Sequence, residues 1–317
     1  MLQFVRFVGM RFILAIITLL LVTFILFSFM ELGPFRPIRC ADYIPLDKFY
    51  VVRWVSWVKS VFLHGDFGRS CVLGTEISIL LGTKFWISLG LCFSSLLLSY
   101  LVAIPVGIYS ATANKPALNG FLRFFSYLGL AIPNFLFALI IIVAWAVFFG
   151  NTPTGLLSRE YNGVPWSYDK FVNFLSHAWI PVIVLGWSST AIALQTVRAL
   201  ISDEYSKLYV TAARGRGLSG QRLLWRYPAR HALGPLINSL GFDLGRIFNE
   251  LPIVALILSL TEAGSLLLQA LVRSHDQYLA SAILFLLAAA IISLNFLTDV
   301  ILAIIDPQFR RGLLGSS

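Results

Sequence analysis

SDEYSKLYVTAARGRGLSGQRLLWRYPARHALGP, residues 202–235, is the longest strongly charged, helix-compatible segment in a chain that is otherwise mostly apolar. Within it Lys207, Arg214, Arg216, Arg222, Arg226 and Arg230 face only Asp203 and Glu204. Basic residues collect on the cytoplasmic side of membrane-spanning segments, and this excess sets the side on which the segment lies. Residues 204–214 are helix-compatible, Gly215 and Gly217 permit a sharp turn, and Ser219 is placed to cap a second helix running through Arg230.

Outward from this segment the composition is that of an integral membrane protein. Of 317 residues 58% are hydrophobic and only 12% charged, against about a quarter charged in soluble domains. The net charge of +9 lies at the ends of apolar blocks, with no aromatic-basic groove pattern, which argues against a nucleic-acid partner. An uncharged run at residues 12–30, after Arg6 and Arg11, is long enough to cross the hydrocarbon and lacks a small-residue cleavage site, so it reads as an uncleaved anchor.

Further spans are predicted at residues 85–114, 124–150, 179–197, 236–260 and 278–305, six in all. Pro105 is expected to kink or stop the second, and Ile132-Pro133-Asn134 interrupts the third. With the N-terminus inside, the cytoplasmic segments carry 13 Lys or Arg against three acids; the outer ones carry ten against nine. Both termini are then cytoplasmic. The chain divides into an anchor at residues 1–30, an outer loop at 31–84 and a five-helix core at 85–317 that contains the 202–235 segment.

In the outer loop, residues 49–63 place Val51, Trp54, Val55, Val58, Val61 and Phe62 on one helical face, against Arg53, Ser56, Lys59 and Ser60. Such a helix either lies in the membrane interface or packs on the protein's own spans. Cys40 and Cys71 fall in this loop, where an oxidising compartment permits a disulfide between them without requiring one.

No catalytic or metal-binding constellation is present in the sequence. The four histidines are scattered, no CxxC or HExxH spacing occurs, and the glycines around Arg216 lack the spacing and lysine of a phosphate loop. If nucleotide hydrolysis drives this protein, another chain hydrolyses. Two antiparallel spans can be joined by a few residues, so the length of the 202–235 segment implies a partner.

Thr211-Ala212-Ala213, then Arg214-Gly215-Arg216 and Gly217, resembles the EAA-x-x-x-G loop of permease subunits in ATP-binding-cassette (ABC) importers. The string from Tyr209 to Ser219, with Leu224-Trp225-Arg226 and Pro235, is similar to the dipeptide and oligopeptide branch. So are Gly65-Asp66-Phe67-Gly68-Arg69-Ser70, Ile132-Pro133-Asn134-Phe135, and Asn295, Asp299 and Asp306-Pro307-Gln308-Phe309-Arg310. The resemblance implies an all-α, type I importer transmembrane domain in the bacterial inner membrane. It implies a coupling helix at Tyr209, Thr211, Ala212, Ala213, Arg214, Gly215 and Gly217 that rests in a cleft of an ATPase. Partners implied are a second homologous permease, two ATPase subunits that bind the ATP, and an extracytoplasmic binding protein. The chain itself is then no enzyme and holds no cofactor.

Two departures stand out. Thr211 replaces the motif's glutamate, and SLTEAG at residues 259–264 replaces the branch's S-W-P-G-L-G. The fifth span also carries Asp243, Arg246 and Glu250, spaced three and four apart on one helical face. Charges within the hydrocarbon cost about 2.5–3.5 kcal/mol on insertion scales and normally face a bundle interior or a wet cavity. This face is expected to line a translocation path, to meet Asp299, or to form a structural ion-pair cluster at a subunit seam. A rival reading makes Asp243, Glu250 and Asp299 the relay of a proton-coupled secondary transporter, although no internal repeat supports it. A channel or scaffold without an energised step would make the 202–235 segment dispensable. Peptides are the expected cargo, with nickel chelates or oligosaccharides as alternatives.

Overall fold

Backbone amides in hydrocarbon must be bonded within their own segment, and the long apolar runs of this chain accordingly form helices. A computed structural model describes residues 2–32, 49–70, 72–113, 115–161 and 163–305. Cys40, Cys71 and the 306–310 pattern lie outside the described residues. Helix α1 is Leu2–Leu32, α2 Tyr50–His64, α3 Ile77–Thr112, α4 Pro116–Ala131, α5 Asn134–Phe149 and α6 Tyr168–Tyr205. Then follow α7 Leu208–Gly215, α8 Gly220–Arg226, α9 Pro228–Ile257, α10 Ala263–Leu268 with a π turn at Gln269–Arg273, and α11 Gln277–Ile305. No strand occurs among the described residues; one isolated bridge joins Arg69 and Glu76.

Helices α1, α3, α6 and α11 are long and apolar enough to cross a membrane, and α4 with α5 is apolar enough as a bent pair for a broken crossing or a re-entrant loop. At 30 residues α9 has the length of a sixth, but carries Asp243, Arg246 and Glu250. The core is built around α6, which packs on α3, α4 and α9, while α11 joins α9 to α1. Small side chains set these crossings, because close backbone approach yields the dispersion contacts that hold helices together in lipid. A Cβ at Gly107 of α3 would stand 2.8 Å from Val197 of α6, and one at Gly241 of α9 would fall on the Asn295 side chain of α11.

Of three local expectations, two are corrected and one, the break at Pro133, is met. Pro105 neither stops nor breaks α3, whose non-helical residue is Gly82; proline removes one backbone bond, and a neighbouring helix tolerates that loss. The third span is two helices meeting at 104°, because Pro133 has no amide to donate and biases Ile132 to extended backbone. In α2 the buried face is Arg53, Trp57 and Val61, whereas Val55 and Phe62 are exposed. This helix packs on the spans: Trp57 meets Phe27 and Phe285, and Trp54 meets Phe24.

The outer loop is fastened by the residues of the Gly65–Ser70 motif. Asp66 accepts from the Gly68 amide at 2.8 Å, and the Trp57 indole donates to the Phe67 carbonyl at 3.2 Å. Ser70 donates to Asp276 at 2.5 Å, and Asp276 in turn accepts from the Leu279 amide at the start of α11. Both Ser70 and Asp276 are buried, so this bond ties the loop to the last span.

Candidate functional site

The basic segment folds as two short helices that carry their own small core. Val210, Ala213 and Leu223 are buried together, with Tyr205, Tyr209, Leu218 and Tyr227 packed around them. Gly217 makes the turn between α7 and α8 at φ 85°, a backbone conformation that costs glycine little. Ser219 occupies the predicted capping position but makes no side-chain cap bond, and α8 ends at Arg226 rather than Arg230. Tyr227 is non-helical, and Pro228 then opens α9 at a position where its missing amide costs nothing.

The projection is anchored by aromatic groups. Tyr209 donates to Glu204 at the end of α6, and burial followed by that bond raises its phenol above the usual tyrosine range. The Arg214 guanidinium lies over the Tyr205 ring at 5.3 Å, and Arg216 donates to the Tyr227 hydroxyl at 3.3 Å. These contacts hold two of the six arginines and lysines against the protein's own rings.

With Val210 and Ala213 turned inward, the opposite side of α7 is bare. Leu208 is 87% exposed, and Thr211, Ala212 and Gly215 are exposed as well. Positions 208, 211, 212 and 215 follow the spacing of one helical stripe. The motif residues thus divide: Tyr209 and Ala213 support, Thr211, Ala212 and Gly215 present, Gly217 turns, and Arg214 is held on a ring. Leu208 was outside the motif, though the helical spacing of the stripe would have found it. Beside the stripe is an open cleft of about 410 Å³ lined by Tyr205, Arg214, Gly217 to Gly220 and Leu223.

The second candidate region is on α9. Asp243 is buried, accepts from the Tyr100 hydroxyl at 2.6 Å, and lies 3.2 Å from the Arg246 guanidinium. Ser239 stands 2.7 Å from the same Tyr100 oxygen. Glu250 lies toward the backbone N–H of Asn134, the first residue of α5 and one of the amides that a helix start leaves unbonded. The Asn134 side chain in turn bonds the Leu185 carbonyl and the Ser188 amide of α6, each at 3.1 Å. The break at Pro133 is therefore tied to α6 through the Asn134 side chain, with a carboxylate of α9 beside it.

Asp299 does not join this face. It pairs with Arg11 of α1 at 3.0 Å, which corrects the expectation of a contact with the fifth span. Tyr100 and Asn134 were not singled out as functional in the sequence, although each is a polar side chain inside an apolar run. Among the described residues no group of His, Cys, Asp and Glu could hold a metal ion.

Residues 103–311 match the family described as binding-protein-dependent transport system inner membrane component. The chain is 27% identical to the peptide transport system permease protein SapB of Salmonella typhimurium, over 94% of this chain and 95% of that one. It is 28% identical to the oligopeptide transport system permease protein AppB of Bacillus subtilis, over 82% of this chain and 80% of that one. A chain of the inward-facing MetNI methionine ABC transporter superposes with a TM-score of 0.55 at 16% identity, covering 72% of this chain and 96% of that chain, so the two share a fold. The bent pair, the charged α9 and the helical projection between α6 and α9 are thus features of a protein that belongs to the family of binding-protein-dependent transport system inner membrane components.

Proposed function

We propose that this chain is one of two homologous transmembrane subunits of an ATP-driven importer, forms half of the translocation pathway for peptides, and is coupled to a pair of separate ATPase subunits. The observation that carries the reading is the bare stripe of Leu208, Thr211, Ala212 and Gly215 on a helix that holds its shape through its own core. Such a helix can enter a cleft of another chain without unfolding, and its small residues let the two backbones approach closely. Hydrolysis then moves α7, and α6 and α9, which flank the projection, carry that motion into the membrane.

In this reading the α7 side is cytoplasmic with both termini, ATP is bound by the partner ATPases, and an extracytoplasmic binding protein delivers the cargo. The names of the SapB and AppB relatives support peptides as that cargo. A proton relay is disfavoured by geometry: Asp243 is tied to Tyr100 and Arg246, and Asp299 to Arg11.

Ala212→Trp tests the docking stripe, because it leaves Val210 and Ala213 in place. In vesicles containing the complete complex, ATP-dependent uptake is expected to fall to background while the subunits still co-purify. Wild-type uptake at normal rate in this variant would remove the coupling role of α7.

A further inference from the structure

Helix α9 turns Leu244, Ile247, Leu251 and Val254 into the core, yet its other side has no cover from this chain. Along that side Asn238, Phe242, Asn249 and Ile253 are exposed, and the Arg246 side chain is 37% exposed. Asparagines and an arginine facing lipid in the middle of a crossing helix would be expensive, so this side faces a wet cavity or protein. The acids near Arg246 are already engaged. Asp243 is buried beneath it and held by Tyr100, while Glu250 lies toward the start of α5 and makes no ion pair with Arg246 within bonding distance. The Arg246 Nη1 is buried 3.2 Å from Asp243, and the rest of the 37% exposed side chain shares a helical side with the exposed Phe242 and Asn249.

Resting on the pathway reading above, we propose that Arg246 is a specificity-determining residue that reads the terminal carboxylate of peptide cargo during translocation. A guanidinium braced on one edge presents a planar fork, the geometry that binds a carboxylate through two parallel hydrogen bonds. Asn249 and Asn238, close to one turn and about two turns away on the same side, offer amide donors and acceptors suited to a peptide backbone. Phe242 adds an apolar surface for a side chain. Asp243, Tyr100 and Ser239 are positioning residues in this scheme, since they hold the fork without touching cargo.

The experiment uses the complete complex in vesicles, with trialanine and its C-terminal amide as probes. Comparing each variant with wild type cancels any preference of the binding protein. In Arg246→Met the ratio of free-acid to amide uptake is expected to fall about tenfold, the worth of one charge-assisted bond, and Arg246→Lys should restore part of it. A ratio unchanged from wild type in Arg246→Met overturns the proposal. A second measurement does not depend on delivery by the binding protein: Asn249→Cys in a chain whose native cysteines are replaced by alanine. Anionic thiosulfonate should modify it faster, relative to a cationic one, when Arg246 is present than when it is methionine. No modification by either reagent, or an unchanged ratio, also overturns it. Wild-type uptake that needs no ATP would break the importer reading instead, while the thiol ratio would still report on Arg246.

Discussion

Two short helical connections join the last spans, and they are built on opposite plans. Between α6 and α9, the α7–α8 pair stands on a separate small core and keeps one helical stripe bare. Between α9 and α11, α10 is folded into the main core, with Ala263, Leu266, Leu267 and Ala270 all buried. Glu262 caps it through the Gly264 amide at 3.2 Å, and Ser88 of α3 accepts from the Ala263 amide at 3.0 Å. The difference separates two tasks. A connection that must engage another chain needs its own rigidity and an uncovered surface; one that closes the bundle spends its surface on its neighbours.

The largest expected effect comes from placing a charge in each core. Val210→Asp buries a carboxylate in the small cluster and should cost at least about 4 kcal/mol there. Because that cluster is separate, uptake should be lost while the thermal midpoint of the transmembrane bundle, followed in nanodiscs, is retained. Leu267→Asp, in the main core, should lower that midpoint and reduce yield. Equal global destabilisation by the two substitutions would contradict the separation.

Next in size is a pH effect confined to the α10 connection. Burial raises the Glu262 carboxyl from 4.5 to about 7, and the Ser265 and Gly264 amides and the Lys84 charge offset only part of that. A carboxyl with a raised folded pKa contributes stability that is fully present below the unfolded value and is lost as pH rises through the folded one. The window is therefore about pH 4.5 to about 7, and the shift corresponds to about 3 kcal/mol at most. The thermal midpoint should fall across this window in the wild type, and Glu262→Gln should flatten the fall.

How much of this was legible in the sequence follows from where each signal resides. The bare stripe lies within one short helix, so charge and motif led to Thr211, Ala212 and Gly215, but they missed Leu208 and did not separate these from Tyr209 and Ala213, which pack inward. The spacing of Asp243, Arg246 and Glu250 likewise placed them on one face. Their partners were not legible, because Tyr100 and Asn134 come from distant spans and apolar runs carry no record of which helices cross. For that reason contact of Asp299 with the fifth span stayed open as one alternative; Arg11, on α1, is the cation that packing supplies. Pro105 does not stop α3, which runs on to Thr112, since a proline's lost bond is tolerated where a neighbouring helix packs closely; the break at Gly82 lies before the predicted span. Glu262 was visible as a departure from the branch pattern, but only its burial shows what the carboxylate does.

The smallest effect sharpens the comparison through one substitution made twice. A methyl at Gly264 of α10 would stand 2.9 Å from Leu251 Cγ and 3.3 Å from Glu262 Oε1. Both neighbours are buried, so making room means displacing packed side chains, and Gly264→Ala should destabilise the protein by about 1–3 kcal/mol. A methyl at Gly215 of α7 would meet nothing within 4 Å. Alanine is the better helix former by roughly 0.5–1 kcal/mol, so Gly215→Ala should leave the melting midpoint unchanged or raise it slightly. Yet that methyl lies on the bare stripe, where close approach of a second backbone is the proposed use, and ATP-dependent uptake should fall. Stability lost at one glycine and coupling lost at the other would assign the two connections their separate tasks; a stable and fully coupled Gly215→Ala protein would show that the stripe does not require a bare backbone at that position.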